Sequence, residues 1–213
     1  MIKKNLWKLI VASVVILIPM LVGIIIWDLL PETIATHWDA SGEPDGFSDK
    51  AVMVFLMPSV ILVLLWVGML VTARDHKEKE QSGAVVDLVI ILLPILSLVV
   101  AGMSFAIALG HDVSVPDIVT VFLGVMMILI GNLLPKARQN RTIGIKIKWT
   151  LNSEENWSRT HRFSGKLWFF SGFAILLCVL LPESVKLYPL MAILAVIVIV
   201  PLVYSYSLHK KGI

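Results

Sequence analysis

Cysteine is nearly absent from this chain of 213 residues, Cys178 being the single one. No intramolecular disulfide can form, and no cysteine-based metal cluster is available. Cys178 lies inside an apolar run and reads as a packed or lipid-facing residue. Charge is also thin: 15% of residues are Asp, Glu, Lys or Arg, and none stands at the middle of a long apolar run. A charge at the bilayer centre costs at least ~2.5 kcal/mol on insertion scales, and where it occurs it marks an ion or substrate path. Asp28 and Asp87 lie near the ends of runs and Asn132 near a boundary, which disfavours coupled transport. No nucleophile stands beside an ordered base. His161 is flanked by Ser158 and Ser164 but has no identifiable third group, so no enzymatic activity and no cofactor are expected. Around His37, Asp39, Glu43 and Asp45 the diagnostic spacing of metal ligands is missing, and no metal is expected there.

What the chain has in abundance is apolar surface, 58% of its residues against roughly 45–50% in soluble domains. Runs of about 20 apolar residues, enough to cross roughly 30 Å of hydrocarbon, recur near 6–30, 50–73, 84–109, 114–134, 163–181 and 185–207. The expectation is an all-α polytopic membrane bundle of about six helices. Its first apolar run is longer than the ~7–15 residues of a secretory signal and no small-x-small cleavage site follows, so it is expected to stay attached as helix one. Lys and Arg in short loops are retained on the cytoplasmic side. Lys3, Lys4, Lys8, Arg74, Lys77, Lys79, the cluster from Lys136 to Lys166, Lys210 and Lys211 all fall on one face if both termini are cytoplasmic. Only Lys50 and Lys186 fall on the other. The formal net charge of +3 is thereby a topology signal, and no direct nucleic-acid partner is implied. Trp7, Trp66, Trp168, Tyr204 and Tyr206 would mark the inner interface, Trp27 and Tyr188 the outer one. Prolines at 19, 58, 94 and 201 predict kinks satisfied by close neighbours.

Two loops are distinctive. The outer loop from Leu30 to Lys50 is rich in turn residues; Glu43-Pro44-Asp45-Gly46 suits a β-turn, and Ser48 or Asp49 suits an N-cap for helix two. It is expected to fold as a cap against other loops. The inner loop, 135–162, alternates Ile143, Ile145, Ile147 and Trp149 with Gly144, Lys146 and Lys148, the period of an extended segment with one apolar face. Asn152 followed by Glu155 announces a helix start, and that helix could run through Trp157, Arg159, His161 and Phe163 into the fifth span. Trp149 and Trp157 are expected to pack beneath the loop.

These segments carry a resemblance. The outer loop has Leu30-Pro31-Glu32, Thr36-His37-Trp38 and Gly42-Glu43-Pro44-Asp45-Gly46. The inner one has Gly131-Asn132, Pro135-Lys136, Asn140, Ile143-Gly144-Ile145, Trp149-Thr150-Leu151, Glu154-Glu155, Trp157, Thr160-His161-Arg162-Phe163 and Gly165-Lys166. Over nearly its whole length the chain resembles the Sdp immunity protein (SdpI-like) family of bacterial membrane proteins, including the membrane domain often fused ahead of the family core. One departure is that Lys146-Ile147-Lys148 replaces the Arg-Thr-Pro usual before the tryptophan. The resemblance implies a two-helix region at 1–80 and a four-helix core at 81–213. It implies immunity to a secreted membrane-active peptide toxin, met on the outer side and bound or blocked from inserting. Alternatives are a signal transducer that sequesters a cytosolic repressor on the inner loop, and a small transporter or channel. Candidate functional residues on the loop are Asn132, Arg141, Gly144, Trp149, Glu155, Trp157, His161 and Arg162.

Overall fold

A computed structural model describes residues 2–39, 41–74 and 82–213. Lys77 and Lys79 of the basic count, and the 80/81 boundary, lie outside the described residues. The chain is mostly helical, and six helices are long and apolar enough to cross a membrane: Ile2–Ile25, Val52–Arg74, Gly83–Ala108, Val115–Lys136, Glu154–Leu180 and Glu183–Lys210. We label the α-helices α1 (Ile2–Ile25), α2 (Met57–Arg74), α3 (Gly83–Ala108), α4 (Val115–Leu133), α5 (Lys148–Asn152), α6 (Glu154–Leu177) and α7 (Glu183–Lys210). Large side chains such as Val14, Leu21, Val63, Phe170 and Val203 are exposed along them, as expected of helices whose outer faces meet lipid. Two compact units divide the chain, and α3 contributes to both: Met1–Val71 with Val89–Pro116, and Thr72–Leu88 with Asp117–Ile213.

In the first unit the outer loop departs from the turn-only expectation. It forms an antiparallel hairpin of β1 (Thr33–Trp38) and β2 (Pro44–Asp49), a small exception to an otherwise helical fold. The reversal lies at 39–43, not at 43–46. Asp39 wins it by accepting from the amides of Ser41 and Glu43 and from the Ser41 hydroxyl, while Gly42 supplies the positive φ of 88°. Those bonds, the Ser41 hydroxyl first, hold the Asp39 carboxyl below its ordinary pKa. Pro44 then starts β2, where a missing amide is tolerated at a strand's first position. The hairpin buries Ile34 and Ala35, and Ile34 packs with Leu30, Met53, Val54, Ala101 and Phe105. Asp49 caps the following helix by accepting from the Ala51 amide at 2.7 Å. A π-helical turn, Val52–Leu56, precedes α2 and gives the ring of Pro58 room in the helical ladder. Ser97 of α3 donates to the Ile16 carbonyl, three residues before Pro19 in α1, the kind of neighbour a membrane proline relies on.

Lys50 is buried, its ammonium 3.1 Å from Glu32 Oε1 and donating to the carbonyls of Trp27 and Leu30 at 3.3 and 3.4 Å, over the Trp27 ring. Glu32 is well exposed, so the water-screened ion pair contributes less than the two carbonyl bonds. Lys50→Met is therefore expected to cost roughly 1–3 kcal/mol, chiefly by leaving the Leu30 carbonyl without its donor, since the Trp27 carbonyl keeps the Leu30 amide, and Glu32→Gln under about 1 kcal/mol. Thermal unfolding in detergent followed by tryptophan fluorescence checks the order; equal losses would contradict it.

In the second unit α4 and α6 run antiparallel, with Gly124 and Gly131 on one facing Gly165 and Gly172 on the other. A Cβ on Gly165 would fall 2.8 Å from the Gly131 carbonyl oxygen, and one on Gly172 would fall 2.7 Å from that of Gly124. Small residues at such spacing let membrane helices approach backbone to backbone, where dispersion rather than water drives association. Lys186 at the start of α7 is buried and paired with Asp117 in the first turn of α4. Lys50 and Lys186, the two exceptions to the basic asymmetry, are thus both buried and ion-paired.

Candidate functional site

The segment between the fourth and fifth spans is shorter than 135–162. Helix α6 already begins at Glu154, because Ser153, not Asn152, is its N-cap and accepts from the Asn156 amide at 3.1 Å. Asn152 closes α5 instead. The helix then runs unbroken through Trp157, His161 and Phe163 into the fifth span, as the sequence predicts. Residues 137–153 remain as an irregular connection containing the single turn of α5. Trp149 belongs to α5 and not to an extended segment. The alternation persists only over 145–148, where Lys146 and Lys148 are exposed and Ile145 and Ile147 half-buried. The proline expected before the tryptophan is absent, and here the Thr150 hydroxyl makes the turn by accepting from the Ile147 amide and donating to the Ile145 carbonyl.

A buried polar knot holds this segment. Asn140, 1% exposed, accepts at Oδ1 from the amides of Thr142 and Ile143 and donates from Nδ2 to the carbonyls of Arg138 and Ile143, at 2.6–2.9 Å. Gln139 donates to the carbonyls of Thr150 and Leu151, tying the start of the segment to α5. Trp157, 2% exposed, donates from Nε1 to the Ala137 carbonyl at 2.8 Å and packs with Val85 and Ala137. His161 stacks on Trp157 with ring centroids 4.0 Å apart. Its Nδ1 donates to the Trp157 carbonyl and its Nε2 accepts from the Ile145 amide at 3.0 Å, which fixes a neutral ring and one tautomer. Gly144, at φ 122°, passes so close above that a Cβ would fall 2.5 Å from His161 Nε2 and 2.9 Å from the Trp157 ring. One turn before Thr160, Asn156 accepts from the hydroxyls of Thr160 and Ser205 and donates to the Ser205 carbonyl, joining α6 to α7.

The structure thus brings together half-buried Gly144 with buried Trp157 and His161 as one cluster. Trp149 lies apart, half-buried against Tyr206 and His209 of α7 at 5.0 and 6.0 Å. Asn132, Arg141, Glu155 and Arg162 are exposed; Glu155 pairs with Arg159 at 2.6 Å and Arg162 donates to Ser158. Asn140, Thr150, Asn156 and Ser205 are further organisers: Asn140 and Thr150 stand in the motif that carries the resemblance but not among the candidate functional residues, and Asn156 and Ser205 stand in neither. Residue type alone gives no sign of their burial. Outside this segment, the outer-loop residues are used locally, His37 against Asp45 and Asp39 in the turn. Among the described residues no three His, Cys, Asp or Glu side chains are grouped to hold a metal.

Residues 136–205, from the end of the fourth span into α7, match the SdpI/YfhL protein family. Residues 14–62, which carry the hairpin, match a domain of unknown function (DUF1648). The chain is 31% identical over 211 residues to the Immunity protein SdpI of Bacillus subtilis (strain 168), covering 98% of this chain and 97% of that protein. No solved structure matches.

Proposed function

From the premise that this chain belongs to the SdpI/YfhL family, we propose that it is a bacterial membrane immunity protein against a secreted, membrane-active peptide toxin, binding the toxin or blocking its insertion. End-to-end similarity to a protein named for immunity carries this reading. The bilayer is its surrounding medium, through six apolar helices. Both termini and residues 137–153 lie on the cytoplasmic side in this reading. It is supported by the basic residues that gather there and by the burial in ion pairs of Lys50 and Lys186, which present little positive charge on the opposite face. Division of labour on the loop follows exposure: Gly144, Trp157 and His161 are scaffold, Trp149 anchors α5 to α7, and Asn132, Arg141, Glu155 and Arg162 are the surface available to partners.

A second reading, a transducer holding a cytosolic repressor, is favoured by one observation. The knot fixes 137–153 as a shaped platform, with Arg138, Arg141, Lys146 and Lys148 exposed on it. A toxin-sensitive bacterium expressing this chain is expected to keep its growth and membrane potential under Sdp-type toxin. Collapse of both, with insertion confirmed by blot, would overturn immunity and leave the transducer reading. Binding of a purified repressor to the full chain, lost on Arg141→Ala, would then support that reading.

A further inference from the structure

One face of α6 is built like a seat for an amphiphile. Arg159, Arg162 and Lys166 follow each other at helical spacing along it, and with Ser158, Phe163 and Tyr204 they line an open cleft of about 800 Å³. Phe163 and Tyr204 stack at 4.3 Å between α6 and α7, giving one wall an aromatic surface. Glu155 neutralises Arg159, and Arg162 spends one guanidinium nitrogen on Ser158. Lys166 is exposed and has no hydrogen-bond or ion-pair partner among the described residues. Three cations against one carboxylate leave an excess of two positive charges in a cleft where low-dielectric walls strengthen the field.

Further along the same face the helix turns apolar while staying uncovered. Phe170, Phe173 and Leu177 recur at the i, i+3, i+7 spacing of a single stripe and are 68%, 47% and 65% exposed. The opposite face, with Trp157, Ser164, Gly172 and Ile175, is buried. Cations at the helix entry and bare aromatics along the span therefore share one line. Free phosphate would use only the first part of it. A phospholipid uses both, its phosphate between Arg162 and Lys166 and its chain along the aromatic stripe, because guanidinium and ammonium groups both pair with phosphate oxygens.

We propose that this face of α6 is a binding site for one anionic phospholipid, with Arg162 and Lys166 holding the headgroup phosphate. The test is titration of the detergent-solubilised full chain with dioctanoyl phosphatidylglycerol, dioctanoyl phosphatidylcholine or inorganic phosphate, read by native mass spectrometry. Phosphatidylglycerol is expected to bind in preference to both, and the Arg162→Gln/Lys166→Gln variant to weaken it roughly tenfold or more. Lys146→Gln/Lys148→Gln, which removes the same charge from the loop surface, should leave binding within about twofold. Equal binding of phosphatidylcholine, or equal loss in the two double variants, overturns the proposal. Inorganic phosphate competing as well as phosphatidylglycerol also overturns it, leaving an ion site. If the first double variant does not assemble, Lys166→Gln alone reads the same comparison, since that exposed side chain holds nothing together.

Discussion

Gly131→Val is expected to remove nearly all folded protein from detergent extracts. The helices α4 and α6 meet there without intervening side chains. A Cβ on Gly131 would collide with the backbone nitrogen of Phe169 and fall 2.8 Å from the carbonyl oxygen of Gly165 and 2.9 Å from Phe169 Cα. A flexible side chain can turn aside from such an intrusion, but the backbone of a packed helix cannot. Overpacking in a well-filled core costs about 1–3 kcal/mol when side chains can adjust, so roughly 3 kcal/mol or more is expected here, a large fraction of ordinary stability. Gly165→Val should behave alike, because its Cβ would meet the Gly131 carbonyl and, at 2.7 Å, the Pro135 ring. On α3 a Cβ added to Gly102 would have nothing within 4 Å, and Gly102→Ala should leave the protein unchanged. Fluorescence-detected size-exclusion chromatography of the three variants after a heating series checks this. A monodisperse Gly131→Val protein with unchanged melting would refute the α4–α6 contact.

The second large effect concerns Asn140. Its amide completes bonds to two carbonyls, two amides and the Thr142 hydroxyl between Arg138 and Ile143, and it is sealed from water. Asn140→Ala leaves several buried polar groups without partners, at about 1–3 kcal/mol for each that water cannot reach, partly relieved by local opening. The expected result is roughly 3 kcal/mol of lost stability, concentrated in residues 137–147, with hydrogen exchange there faster by two orders of magnitude or more. Asn140→Asp separates the two halves of the amide. It keeps an acceptor for Thr142 and Ile143 but sets a carboxylate oxygen against the carbonyls of Arg138 and Ile143, so it should be no better than alanine. Exchange by mass spectrometry on the whole protein decides it, and protection equal to that of the unaltered chain would show that the segment is held by Trp157 and His161 instead.

Much of this architecture was legible beforehand, because a membrane span announces itself by length and hydropathy alone. The six helices fall where the apolar runs lie, and Glu154–Leu180 differs mainly in starting about two turns early. That difference has a local cause: Asn152 and Ser153 are both good caps, and only the fold, which needs Asn152 to close α5, decides between them. The hairpin was hidden for a similar reason. Pro44-Asp45-Gly46 is strong turn chemistry, yet the Asp39 carboxylate five residues before Pro44 captures three donors and displaces the reversal. On the loop, tryptophan burial could be anticipated from size, and Trp157 is indeed enclosed. What no pattern of residue types shows is that His161 accepts from Ile145, sixteen residues away, or that Asn156 reaches Ser205. Contacts of that kind are chosen by the helix pair, not by the local sequence.

The glycine seam also bears on permeation. At the levels of Gly124 with Gly172 and of Gly131 with Gly165, peptide groups of α4 and α6 rest against each other, and the Ile128 and Leu176 side chains fill the seam beside the first pair. A conduit for even a dehydrated ion requires a gap that side chains or waters can line. Backbone and side chains packed this closely leave no bore between the two helices. Along this pair of helices the unit is a solid strut, and any change in ion leakage that the protein brings about in a cell has to act on the surrounding bilayer or on the other helices, not through this seam.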